Sequence, residues 1–210
     1  NDQFLKVVEE SICYSDKGFL VTFGVTPTNP ETGFGYIEAS ENIKNRNVKG
    51  SKIKRFIEKP DSIRAKELIK DERFFWNSGM FCFKASSIVR EIQKYNSELL
   101  DNCKLALRNS YADLDFQKLD KKTFSQCQNI SIDHAVMEKT KLGVVIPLNV
   151  GWSDIGSWNS IRNLEDKNKD NNVILGNIVT KFSKNCYLRS ESRLVVALGV
   201  ENLIVVETND

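Results

Sequence analysis

Phe19-Leu20-Val21-Thr22-Phe23-Gly24-Val25 is the stretch on which the fold turns. Its β-branched and aromatic residues run almost without polar alternation, the pattern of a strand buried on both faces. It stops at Thr26-Pro27-Thr28-Asn29-Pro30-Glu31-Thr32-Gly33, where two prolines and a glycine break any ladder. Upstream, Leu5, Val8 and Ile12 recur at helical spacing, and Lys17-Gly18 closes that helix. Downstream, Gly35-Tyr36-Ile37-Glu38 resumes extended structure, and Ile53-Lys54-Arg55-Phe56-Ile57-Glu58 alternates like a strand before Pro60.

The alternation of strand and helix continues. Asp61 is placed to cap a helix from about Ser62 to Lys70. Gly79-Met80-Phe81-Cys82-Phe83 reads as a strand preceded by a turn, and helices follow around Ile88, Ile92 and Tyr95, then Leu99, Leu100, Cys103 and Leu107. Asp133 to Glu138 reads as a short helix with an acidic first turn, and Gly143-Val144-Val145-Ile146-Pro147 as a strand. This order predicts an α/β sheet covered by helices. After the polar connector Glu165–Asn172 only short β stretches remain: 173–175, 177–179, 186–188, 194–198 and 203–206. The predicted boundary is near 168–170, giving a first domain 1–168 and a small β region 169–210. A β-helix and a plain β extension are both open for that region.

Composition excludes several function classes. Thirty basic and 28 acidic residues leave a net charge of +2, with no basic stripe to track a phosphate backbone, so nucleic acid is not expected as a partner. No apolar run approaches the length of a membrane span, so no membrane partner is expected. Cys13, Cys82, Cys103, Cys127 and Cys186 are odd in number, far apart and never in C-x-x-C spacing. They read as free thiols in a reducing cytoplasm rather than a disulfide framework or a zinc site.

Four segments combine glycine, aromatic rings, amide and charge in ways a packed core does not need. In Glu31-Thr32-Gly33-Phe34-Gly35-Tyr36, glycines flanking an aromatic could let backbone approach a ligand and the ring face a sugar, or could serve a turn with positive φ. In Phe56-Ile57-Glu58-Lys59-Pro60 a strand ends on an acid and a base, suited to hydroxyls and a phosphate or to a surface ion pair. Asn77, in Trp76-Asn77-Ser78-Gly79, has a donor and an acceptor for neighbouring sugar hydroxyls, with Trp76 as core. Asp154, in Gly151-Trp152-Ser153-Asp154-Ile155-Gly156-Ser157-Trp158, could ligate Mg²⁺ or cap the helix that follows. The single histidine, His134, reads as structural, since no nucleophilic partner accompanies it.

Taken in order, these segments resemble the sugar nucleotidyltransferases, and closely the mannose-1-phosphate guanylyltransferases. The matching residues include Val21–Thr28, Pro30–Glu38, Ile57–Pro60, Trp76–Phe81, Ser131–Lys139 and Gly151–Trp158. The resemblance covers essentially the whole chain. It implies a three-layer, Rossmann-like nucleotidyltransferase sheet whose N-terminal part is missing. It implies Gly35, Glu58, Lys59 and Asn77 as substrate-binding residues, Lys59 and Asp154 as catalytic, and Asp154 as the Mg²⁺ ligand. Phe34 stands where the family usually has tyrosine, and His134 where it often has tyrosine.

The family's opening loop, G-G-x-G-x-R-L-x-P, and its P-A-D-H metal segment do not occur in these 210 residues. The stretch as it stands is therefore expected to hold the sugar half of a site and to be inactive alone. Phe19–Val25 is expected to lack a neighbour and expose an open edge. The resemblance implies GTP and mannose 1-phosphate as partners and GDP-mannose and pyrophosphate as products, and leaves a homodimer open. The alternatives are a non-catalytic sugar-phosphate-binding or regulatory subunit, and part of a bifunctional protein that also isomerises mannose 6-phosphate.

Overall fold

The computed structural model describes residues 1–43 and 49–209 and divides into two compact units, Asn1–Trp152 and Ser153–Asp210. The first unit is built on the strand that decides the fold. β1 (Leu20–Val25) is buried at every position. It pairs in parallel with β7 (Gly143–Pro147) and antiparallel with β4 (Phe74–Cys82). β4 pairs on with β2 (Tyr36–Ala39), β2 with β3 (Ser51–Ile57), and the start of β3 returns to β7, which closes the ring. The expected open edge on β1 is therefore wrong: strands flank it on both sides.

Alternation along β1 builds a core on each face. Val21, Phe23 and Val25 point to one side, where Val7 of α1 (Asp2–Asp16) and Ala65 and Leu68 of α2 (Ser62–Leu68) cover them. Leu20 joins Ile37, Phe75 and Val145 on the other side. Ile88 of α3 (Ala85–Tyr95) and Ala135, Val136 and Met137 of a π turn (Asp133–Met137) cover that face. The result is helix, sheet, helix: the three-layer α/β arrangement that the alternating elements predict. α4 (Ser97–Arg108), a hairpin of β5 (Tyr111–Asp113) and β6 (Phe116–Lys118), and α5 (Lys121–Phe124) complete the unit.

Two local expectations need correction. α1 does form, with Asn1 capping it, but Leu5 and Ile12 are exposed. Val7, Ser11 and Ser15 are the residues buried against the sheet. The small serines let the helix lie close, with hydroxyls bonded to the carbonyls of Val8 and Ile12. Second, Trp76-Asn77-Ser78 is not a turn before a strand. β4 already runs through it, and Trp76 is buried core. Between the pairs Thr22↔Phe81 and Gly24↔Asn77, three residues of β4 face one of β1. This bulge is accommodated by Gly79, whose φ of 71° suits glycine. Asp61 caps α2 as expected, accepting from Arg64 N at 2.8 Å.

The second unit opens with α6 (Trp158–Leu164) and continues in short parallel strands: β8 (Val173–Leu175), β9 (Ile178–Lys181), β10 (Tyr187–Ser190), β11 (Val195–Leu198) and β12 (Ile204–Glu207). β10 lies between β8 and β12, and β9 pairs with β11. Ile178 pairs with Val195, Lys184 with Glu201 and Tyr187 with Ile204, each seventeen positions on. Successive coils thus stack in register, which is β-helical geometry. Asn171, Asn185 and Asn202 take left-handed φ of 58°, 55° and 56° at the corners, where asparagine tolerates that region best after glycine. Inside, Asn172 donates to Ser183 O at 2.7 Å and accepts from Cys186 N at 2.8 Å, fastening one coil to the next. The compact units part at 152/153, earlier than the change of sequence texture at 168–170, because α6 groups with the coils. No described helix is long and apolar enough to cross a membrane.

Candidate functional site

Gly35 sits just before β2, and side chains from two other segments crowd against it. A Cβ placed there would stand 2.6 Å from Glu58 Oε2, 3.2 Å from Phe56 Cε1 and 3.4 Å from Asn77 Cβ. Gly35 does not have a positive φ. Close approach, not turn geometry, is what requires glycine here. The backbone adds to the link: Asn77 N donates to Gly35 O at 2.7 Å. Three of the residues singled out in the sequence, from segments far apart, therefore meet at one point.

Glu58 follows the end of β3, with its side chain 16% exposed, and pairs with the more exposed Lys59 at 3.5 Å. Lys59 itself adopts φ of 43°. A non-glycine residue there is strained, and the following proline restricts it further. That backbone turn directs the acid inward and the base to solvent.

Asn77 is fully oriented. Its Oδ1 accepts from Thr22 Oγ1 at 2.9 Å and from Gly79 N at 3.3 Å. Since a backbone N–H can only donate, the amide cannot be flipped. Its Nδ2 then donates to Asp133 Oδ1 at 3.1 Å. Asp133 opens the π turn and is half-buried. Burial, and after it the nearby Glu58 carboxylate, pushes the Asp133 carboxyl above its ordinary range, against the opposing effect of the Asn77 bond. Sequence reading noted the acid of this turn but gave it no role. Its link to Asn77, 56 positions away, leaves no local signature.

The other residues fall as follows. Phe34 does not present its ring to a ligand: it packs edge-on against Trp76 at 5.3 Å and Trp152 at 5.7 Å. His134 is surface-exposed and bonds Glu138 at 2.9 Å one helical turn away, a structural pairing. Asp154 belongs to the second unit. It is exposed, not desolvated between the tryptophans, and it does not cap α6; Ser157 does, accepting from Ser160 N at 3.2 Å. Among the described residues no hydrogen bond or ion pair engages the Asp154 carboxylate. Among them, too, no group of three His, Cys, Asp or Glu side chains converges as a metal cage. A cation held by one carboxylate together with phosphate oxygens and water, the habit of Mg²⁺, remains compatible with that carboxylate.

Comparison with known proteins agrees with the geometry. A family model described as nucleotidyl transferase matches residues 1–171. The chain is 41% identical over its whole length to mannose-1-phosphate guanylyltransferase of Salmonella montevideo, of which it covers 45%. It is 42% identical over 93% of its length to alginate biosynthesis protein AlgA of Pseudomonas putida, covering 40% of that protein. Among solved structures, mannose-1-phosphate geranyltransferase from Thermus thermophilus superposes with a TM-score of 0.78 at 26% identity, covering 100% of this chain and 59% of that one. Mannose-6-phosphate isomerase from Helicobacter pylori superposes with a TM-score of 0.65 at 34% identity, covering 73% and 58%. The chain spans less than half the length of the curated relatives it matches. With a family match over most of its residues, the chain belongs to the nucleotidyl transferase family.

Proposed function

We propose that this chain carries the sugar-phosphate-binding part of a mannose-1-phosphate guanylyltransferase, which forms GDP-mannose and pyrophosphate from GTP and mannose 1-phosphate. One observation carries the reading: Glu58 and Asn77 meet over the bare backbone of Gly35, with Lys59 paired to Glu58 beside them. A hexose 1-phosphate has the matching chemistry, hydroxyls at one end and a dianion at the other. The similarity to guanylyltransferases along the whole chain supports this choice of sugar and nucleotide.

In this reading an oxygen of the mannose phosphate attacks the α-phosphorus of GTP. The new O–P bond forms as the bond to the β-phosphate oxygen breaks, and pyrophosphate leaves with that electron pair. The protein supplies position and charge rather than covalent chemistry. Glu58 accepts from sugar hydroxyls. Lys59 holds the attacking phosphate. Asp154, exposed and unengaged, would hold a divalent cation, Mg²⁺ in this reading, whose charge offsets that of the phosphate oxygens when bound.

A second reading comes from the similarity to the Helicobacter pylori mannose-6-phosphate isomerase. The whole protein would then also interconvert fructose 6-phosphate and mannose 6-phosphate. The test is direct: incubate the whole protein that contains this chain with GTP, mannose 1-phosphate and Mg²⁺, then follow pyrophosphate and GDP-mannose. Both products are expected. Binding of mannose 1-phosphate without turnover would mark a regulatory subunit, and mannose 6-phosphate formed from fructose 6-phosphate would establish the second activity.

A further inference from the structure

We propose that Asp133 is a sugar-binding residue of this site, and that it and Glu58 are the two acceptors for neighbouring hydroxyls while Asn77 offers only a donor. The proposal rests on the reading of the residues around Gly35 as a hexose-phosphate site, and it follows from counting hydrogen-bonding capacity. An asparagine side chain has two acceptor positions and two N–H groups. Within the protein, Gly79 N takes one acceptor position of Asn77, and the other faces the single proton of Thr22 Oγ1, at 2.9 Å, which Met80 O, at 3.1 Å, shares. One N–H is given to Asp133 Oδ1. One N–H is all that Asn77 retains for a ligand.

A sugar hydroxyl both donates and accepts. Two adjacent hydroxyls buried against Asn77 therefore leave protons that Asn77 cannot receive. Each needs an acceptor, and a buried donor without one costs most of the binding it was meant to give. Glu58 Oε2, above Gly35, can take one. Asp133 meets the need for the other. Beyond Asn77, no side chain among the described residues donates a hydrogen bond to its carboxylate. Asp133 opens the π turn, whose last three residues, Ala135, Val136 and Met137, are core. The arrangement is otherwise unfavourable, because two carboxylates face a half-buried space and repel. Hydroxyl donors from a ligand relieve that repulsion, which gives the pair a reason to be there.

Asp133→Asn is the discriminating variant. It keeps the shape and an oxygen for Asn77 Nδ2, and replaces the free acceptor by a donor. The protein and its D133N form are titrated calorimetrically with mannose 1-phosphate and with its 2-, 3- and 4-deoxy analogues, and their melting temperatures compared. Mannose 1-phosphate is expected to bind D133N about tenfold or more weakly. The melting temperature should not fall, since a repelling charge is removed. For one analogue, the one lacking the hydroxyl that Asp133 receives, both forms should bind alike. Equal affinity of both forms for mannose 1-phosphate overturns the assignment of Asp133, as does an equal loss across all analogues, which would mark a structural role. Failure of the unaltered protein to bind any of these sugar phosphates overturns the reading of the site itself, and Asp133's role with it.

Discussion

Gly35 and Glu58 are in such close contact that a single methyl group on the glycine would stand 2.6 Å from the carboxylate oxygen. Real Cβ atoms do not approach an oxygen so closely. Glu58 follows the end of a strand and its carboxylate is the tip of a flexible side chain, so it is the group that gives way. Gly35→Ala should therefore displace the Glu58 carboxylate while leaving the sheet intact. Loss of a charged acceptor for sugar hydroxyls costs roughly 1.5–3 kcal/mol, about ten- to a hundredfold in affinity for mannose 1-phosphate. Titration of G35A checks it. Unchanged affinity would mean that the sugar does not meet Glu58.

Lys59 is the cation nearest Glu58 and is held by a strained backbone. If it grips the acceptor phosphate, Lys59→Ala should weaken mannose 1-phosphate more than GTP. A charge-assisted bond contributes roughly 1.5–3 kcal/mol, about a ten- to hundredfold rise in the KM for the sugar. Separate KM series for the two substrates test this. An effect confined to GTP would move Lys59 to the nucleotide side.

Asp154 separates folding from chemistry. It is exposed and engages no partner among the described residues, so Asp154→Asn should change stability by no more than about 0.5 kcal/mol. If it holds the catalytic cation, turnover should still fall on the order of a hundredfold or more. The paired measurement is a melting curve and a Mg²⁺ titration of the rate. Wild-type turnover at saturating Mg²⁺ would remove Asp154 from the site.

The coils of the second unit depend on one buried amide. Asn172 is 1% exposed and joins Ser183 O to Cys186 N. Asn172→Ala leaves both groups buried without that partner. Each unsatisfied group costs about 1–3 kcal/mol, so with two of them the β unit should lose roughly 2–6 kcal/mol or fail to form. Denaturant melts of N172A report it. A midpoint within error of the wild type would show that water replaces the amide.

What sequence could reveal here depended on whether the deciding interaction was local. β1 was legible because burial on both faces leaves an unbroken apolar run. The cap of α2 was legible because Asp61 acts on a residue three positions away. Gly35, Glu58 and Asn77 could be picked out as residues with more chemistry than a core needs, but not as neighbours. Their meeting depends on pairing of β2 with β3 and with β4. The Asn77 segment read as a turn because Gly79 breaks the strand pattern, when it marks a bulge. The hairpin β5–β6 was missed because its strands are short and mostly exposed, with no buried period to read. The coils showed themselves as short β stretches. Their stacking rests on pairings fourteen to seventeen positions apart, signalled only by asparagines at the corners.

Glu207 makes the second unit sensitive to acid. It ends β12, opposite Ser190 of β10. Its carboxylate accepts from the backbone N–H groups of Arg193 at 3.0 Å, Ser192 at 2.9 Å and Glu191 at 3.1 Å, and from Ser192 Oγ at 2.8 Å. Donation from Arg193 N, and then from Ser192 N, lowers its pKa from the ordinary 4.5 to about 2. A group depressed on folding contributes stability that is present above its unfolded pKa and lost as protons bind the folded form. The contribution of Glu207 should therefore be complete at neutral pH, begin to fall near 4.5, and be gone below about 2. Glu207→Gln cannot gather the same set of N–H donors with a charged oxygen. It should be less stable than wild type at pH 7, and the two proteins should converge as pH falls through that window. Melting curves at intervals from pH 7 down to about 2 measure the difference. A gap that stays constant across the range would mean that the turn at 191–193 is held by something other than the charge on Glu207.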